Sequence, residues 1–161
     1  MTIKDFCEKH KACKEGYERA KHFKNMDDFF ANSADHDDVI WACTRVMNKK
    51  EKVQFGCWCV RQIWELLTDE RSRNAIIVGE RYVQGLATDK ELYVAADCAY
   101  VAIYDAPHDA AVGAAADAAY DAYEAAYAVS HYTADNVWTC IDTKTNQVEY
   151  LRNNFVFNWE G

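Results

Sequence analysis

Apolar residues recur at helical spacing along almost the whole chain. Ile3, Phe6, His10 and Cys13 fall three and four apart, which predicts a first helix capped by Thr2 and ending near Gly16. A second helix is expected from Tyr17 through Ala20 to about Asn25, followed by a short helical turn over 26–33 that holds Phe29 and Phe30. The acids Asp35, Asp37 and Asp38 suit the positive end of a helix dipole and predict the next start. Val39, Ala42, Cys43, Val46 and Met47 form that helix's apolar side, and Lys49 and Lys50 close it with cations. Val53, Cys57, Val60, Trp64 and Leu67 make one continuous stripe over roughly 51–67. A further helix runs from about Arg71 to Gln84 and stops at Gly85. Thr88 and Glu91 form a capping box, in which hydroxyl and carboxylate each satisfy a backbone N–H. This box opens a helix striped by Leu92, Ala96, Ala99, Ile103 and Ala106, which Pro107 ends, since proline cannot continue the hydrogen-bond ladder.

Residues 108–130 are dominated by alanine, the best helix former. On a wheel, Tyr120, Tyr123 and Tyr127 share one side, and Ala111, Ala114, Ala118, Ala122 and Ala125 the opposite one. Asp117, Asp121 and Glu124 form a narrow seam between them, so this helix is expected to lie almost centrally in a bundle, with close neighbours. Residues 134–157 fit a helix through Val137, Ile141, Val148, Leu151 and Phe155, or a strand at Val137–Ile141 followed by a turn at Asp142–Asn146; the helix agrees with the rest of the pattern. The fold class is therefore all-α: one domain, 1–161, built as a bundle of about seven to eight helices.

Composition narrows the class further. The 161 residues suffice for a real core, and five Trp, seven Phe and ten Tyr argue against disorder. The start MTIKDFCEKHK alternates charged and apolar residues, without a signal core or a membrane-spanning run, so a cytoplasmic protein with no membrane partner is expected. Seven cysteines, an odd number with no secretion signal, point to reduced thiols. Charge is unevenly spread: residues 1–25 carry seven Lys/Arg against four Asp/Glu (+3), 26–85 eight against ten (−2), and 86–161 three against twelve (−9). The last stretch would repel nucleic acid and attract a basic or nucleic-acid-binding protein, although acidity also simply confers solubility.

Several motifs carry a family likeness: Trp41-x-Cys43-x-Arg45, then Cys57-Trp58-Cys59-Val60-Arg61, then Asp69-Glu70-Arg71-x-x-x-Ala75-Ile76. They continue in Glu80-Arg81-Tyr82-Val83-Gln84-Gly85 and the Ala-rich stretch from Ala95 to Ala128. Over roughly 35–130 the chain resembles the Imm-5-like immunity proteins, a helical family named from polymorphic toxin systems and also found on phage genomes. The resemblance implies an all-helical fold and a protein that neutralises a partner. The last 30 residues, richer in Asn, Thr and aromatics, depart from the family's pattern.

Few residue groups suggest chemistry. Cys7-x-x-His10-x-x-Cys13 shares one broad helix face and offers types that zinc favours, but it supplies three ligands where four are the norm, so no metal is expected. Cys57 and Cys59 are separated by one residue, not the two of a redox motif; Cys57 is expected in the core and Cys59 near its edge. His36 among Asp35, Asp37 and Asp38 reads as an acidic helix start. With no Gly-rich phosphate loop and no nucleophile elbow, neither an enzyme nor a cofactor is expected. Two binding surfaces remain. Asp105, Asp109, Asp117, Asp121 and Glu124 are the candidate partner-binding residues, or a solvated helix face. Arg61, Arg71 and Arg73 could hold a small anionic ligand such as a signalling nucleotide, or serve an ion network with Asp69 and Glu80. The leading expectation is an inhibitor of a protein, either a toxin effector or a host defence component.

Overall fold

A computed structural model describes residues 1–62, 64–66, 69–105 and 140–160, with the side chains of Leu66, 100–105 and 140–143 left undescribed. Among these residues the chain is all-helical, with eight α-helices and no strand. They are α1 Ile3–His10, α2 Lys14–Ala20, α3 Met26–Asn32, α4 His36–Val46, α5 Lys49–Arg61, α6 Glu70–Val83, α7 Asp89–Asp105 and α8 Cys140–Asn154, with a short 3-10 turn at Trp64–Leu66. The expected Ala-rich central helix at 108–130 lies outside the described residues.

Capping explains most of the boundaries. Thr2, Asn25, Asp35, Asn48 and Asp69 each accept a backbone N–H in the first turn of the helix that follows. Several expected boundaries shift, among them those of the second helix, which runs Lys14–Ala20 where Tyr17 to about Asn25 was expected. The first helix ends at His10, not Gly16, because Lys11 takes a left-handed conformation and the N–H groups of Lys11 and Ala12 both return to the Cys7 carbonyl. The chain restarts at once with Cys13 capping α2. Lys49 and Lys50 do not close α4; Asn48 and Glu51 form a reciprocal capping box that places both lysines in the first turn of α5. The helix expected over 51–67 ends at Arg61. Residues 140–154 are helix, which removes the strand-and-turn alternative for that stretch.

The described chain forms two compact units, Met1–Met47 with Lys144–Gly161, and Asn48–Thr143. No Pro- or Gly-rich linker marks either junction, and the second junction lies within α8.

In the first unit Phe6, Met26, Phe29, Val39, Ile40, Cys43, Val148, Leu151 and Trp159 are buried. Phe6 lies edge-on to Trp41 (6.1 Å) and Trp159 (5.8 Å), and Phe30 edge-on to Phe157 (5.2 Å). After α8, Phe155, Phe157 and Trp159 turn inward while Val156, Asn158 and Glu160 are exposed. Hydrogen bonds pin this return: Arg152 donates to the carbonyls of Phe30 (2.7 Å) and Ser33 (3.0 Å), and Trp159 Nε1 to Asp27 (3.0 Å). These C-terminal aromatics therefore pack on the core of their own unit.

The second unit buries Val53, Phe55, Cys57, Cys59 and Val60 of α5. The α6–α7 pair closes on a cluster of Ala75, Val78, Ala95, Ala96 and Ala99. A Cβ added at Gly79 of α6 would stand 2.7 Å from Cys57 Sγ, so only glycine permits this approach of α5 and α6.

Candidate functional site

The second unit gathers the arginines expected at α5 and α6, and each is held differently. Arg61, at the end of α5, grips Glu80 of α6 with two parallel hydrogen bonds of 2.6 Å. This fork is the strong form of an Arg–carboxylate pair, and the Glu80 carboxylate holds the guanidinium in its charged form. Arg71 grips Asp69, from Nη2 at 2.8 Å and Nε at 3.1 Å, while its backbone N–H also donates to Asp69 at 2.8 Å. That carboxylate therefore serves as helix cap and counter-ion together. The Arg71 side chain, set against a smaller cost of desolvation, holds it below the usual carboxylate range.

Arg73 differs. Its ion pair with Glu70 is long at 3.7 Å, and Glu70 is exposed. Its Nε is buried and makes no hydrogen bond among the described residues. The guanidinium stands 5.6 Å from the ring centre of Trp64, and Arg61 stands over the same ring at 3.9 Å. Arg61 and Arg73 thus share one indole face system, which fixes the 3-10 turn by cation–π contact. Periodicity placed Trp64 in an apolar stripe; its work here is to meet two cations, a role that becomes visible only once α5 and α6 lie together.

Asp105 ends α7, with its side chain undescribed, and Asp109, Asp117, Asp121 and Glu124 lie outside the described residues. What the described part adds is apolar. Ile77 (43%), Leu86 (63%), Tyr93 (57%) and Val94 (51%) are exposed on α6, on its connection to α7 and on α7. On α6, Ile77 falls in the exposed row Asn74, Ile77, Arg81, Gln84; on α7, Val94 falls in the row Lys90, Val94, Asp97. An apolar residue interrupting an otherwise polar helical row is a sequence signal that could have found both. Arg81, Asp89, Glu91 and Asp97 are exposed on the same elements.

The remaining candidates are structural. Among the described residues no three His, Cys, Asp or Glu side chains are grouped to hold a metal. His10 packs on Phe6 (4.5 Å between ring centres), and burial, then Lys9 and Arg45, lower its pKa. Cys57 is buried as expected, its pKa pushed up to about 12 by burial, and Cys59 is equally buried rather than at the core's edge. The acids around His36 are absorbed by the helix start. Asp35 caps α4, Arg19 pairs with Asp35 (3.0 Å) and Asp38 (2.7 Å), and Lys144 pairs with Asp37 (2.8 Å).

Comparison with known proteins adds nothing to this geometry: no family model, curated protein or solved structure matches the chain. Among the described residues no helix is long and apolar enough to cross a membrane.

Proposed function

We propose that this chain is a non-enzymatic, cytoplasmic protein of the immunity or inhibitor type, which binds and neutralises a partner protein. The partner is a toxin effector or, if the chain is phage-borne, a host defence component. The observation that carries this reading is the exposed apolar set Ile77, Leu86, Tyr93 and Val94 within a stretch that also bears exposed acids. Apolar anchors inside a charged surround are the composition of protein-docking surfaces. The charge of −9 over residues 86–161 supports a basic or nucleic-acid-binding protein as partner, steered by long-range attraction, and disfavours nucleic acid itself. The likeness of residues 35–130 to the Imm-5-like immunity proteins points the same way.

A second reading rests on Arg73, whose buried Nε lacks a hydrogen bond among the described residues. Under it, Arg61, Arg71 and Arg73 hold a small anion such as a signalling nucleotide. The carboxylate forks on Arg61 and Arg71 weigh against it, since an anion would have to displace Glu80 and Asp69.

One experiment separates the two. Tagged full-length protein is recovered from its native host, and the eluate is analysed by proteomics and native mass spectrometry. A stoichiometric partner is expected, lost on Ile77→Glu/Val94→Glu or on Asp117→Lys/Asp121→Lys/Glu124→Lys, with helicity unchanged. A central apolar anchor is worth at least about 2 kcal/mol, roughly thirtyfold in affinity. Capture that survives both variants removes these surfaces from the proposal. A protein without partner but carrying extra bound mass transfers the function to the arginines.

A further inference from the structure

Four polar side chains are buried among the described residues: Ser33, Thr44, Ser72 and Gln147. Ser33 accepts the Asp35 N–H at 3.2 Å, and Thr44 donates to the Trp41 carbonyl at 2.9 Å. Gln147 is 1% exposed, yet neither its Nε2 nor its Oε1 makes a hydrogen bond among the described residues. The Ser72 hydroxyl is unpartnered too, but an amide forfeits more, since it carries two N–H donors and an acceptor with two lone pairs. Such burial opposes the docking of the element that carries the amide, because water satisfies the same groups as soon as that element leaves.

That element is α8. Lys144, Gln147, Val148, Leu151 and Arg152 share one side of it at helical spacing, and this is its buried side. Only Val148 and Leu151 of the five are apolar, whereas α4 buries Val39, Ile40, Ala42 and Cys43. Polar contacts flank the two apolar residues. Lys144 pairs with the exposed Asp37, Thr145 Oγ1 stands 3.5 Å from His36 Nδ1, and Arg152 donates to the carbonyls of Phe30 and Ser33. An ion pair with one exposed partner adds little to docking. Beyond α8 the chain is anchored chiefly by Trp159, which meets Phe6 and Phe30 and donates to Asp27. From Lys144 onward the chain is therefore seated by few apolar side chains and by a glutamine that water suits better.

We propose that residues 144–160 are a releasable latch on the first unit, one that undocks while α1–α4 stay folded, and that the Gln147 amide sets how often it does so. Release returns the amide to water and withdraws Trp159 from Phe6 and Phe30. Phe6 keeps His10 and Trp41, its neighbours from α1 and α4, so the helices left behind retain aromatic contacts of their own. The seat that opens is refilled by the same segment of the same chain. Two states are thus balanced. The docked one buries Val148, Leu151 and Trp159, and the undocked one hydrates Gln147. A methionine at 147, similar in length and without the amide, would shift that balance to the docked state.

The test is native-state hydrogen exchange on the full chain at neutral pH in low urea, read by NMR. Corrected for intrinsic rates, the backbone amides of Val148–Arg152 should exchange at least about tenfold faster than those of Val39–Cys43. Their exchange should also depend less on urea, because less surface opens. The Trp159 indole N–H, held by Asp27, should exchange through the same opening. Gln147→Met should slow both at least about tenfold. Equal rates and equal urea dependence for α8 and α4 overturn the latch, and that comparison needs no variant. An indole that exchanges faster than α8 and ignores Gln147→Met separates the terminal segment from the helix and overturns the single unit. Exchange of α8 that Gln147→Met leaves unchanged or accelerates overturns the role of the amide.

Discussion

In the unit of α1–α4 and α8, the buried surface is aromatic and its partners are distant in sequence. In the unit of α5–α7 it is made largely of small side chains from consecutive helices. Phe6 meets Trp41 and Trp159, and Phe30 meets Phe157 and Trp159, all edge-on. Ala75, Ala95, Ala96 and Ala99 instead let α6 and α7 approach, and Gly79 leaves room on α6 for the Cys57 sulfur of α5. Rings fix orientation through edge-to-face contacts, whereas small residues fix distance. The first unit should therefore suffer most from lost volume and the second from added volume.

The largest expected effect is in the aromatic unit. Phe6 is 1% exposed, and Phe6→Ala should cost about 3–5 kcal/mol, since the void is walled by rings that cannot collapse into it. Urea unfolding followed by tryptophan fluorescence measures this; a cost under about 1.5 kcal/mol would show a yielding core and break the contrast.

Gly79→Ala sharpens the other side. Its Cβ would overlap Cys57 Sγ at 2.7 Å, so overpacking of about 1–3 kcal/mol opposes a helix-propensity gain of about 1 kcal/mol. With Cys57→Ala the overlap disappears, and the same substitution should become neutral or stabilising. An equal cost in both backgrounds would mean that Cys57 does not set the α5–α6 distance.

The smallest effect concerns His10 beside Phe6. Its folded pKa is lowered, so the unfolded chain binds the proton more readily. The stabilising effect of this neutral histidine is complete above its ordinary pKa of about 6.5 and is lost as pH falls toward the folded value. His10→Leu should flatten the decline in urea midpoint between about pH 7.5 and 5.5. A decline as steep as wild type clears His10 as its source.

The all-helical class was legible because the apolar stripes were. Val39, Ala42, Cys43, Val53, Cys57, Val60, Leu92, Ala96 and Ala99 are all buried. Boundaries were legible where a residue advertises its role, as at Thr2 and Thr88. They were lost where it does not: Lys11 adopts a left-handed turn without being glycine, and Cys13 caps with sulfur. The Asn48–Glu51 box was present in the sequence but hidden by the lysines between its members, which read equally well as the end of the preceding helix. At the site, the forks Arg61–Glu80 and Arg71–Asp69 could be anticipated from the neighbouring charges. The Trp64 contact with two arginines could not, because it depends on how α5 and α6 meet.

The distant pairing in the first unit also sets an order of events during synthesis. Arg152 hydrogen-bonds to Phe30 from 122 residues downstream, and Trp159 to Asp27 from 132. While the ribosome makes the intervening chain, α1–α4 wait with Phe6 and Phe30 lacking their last partners, whereas α5, α6 and α7 emerge in succession and can pair as they appear. Nascent chains stalled before α8 should therefore bind chaperones through the N-terminal aromatics and release them once Trp159 has cleared the exit tunnel.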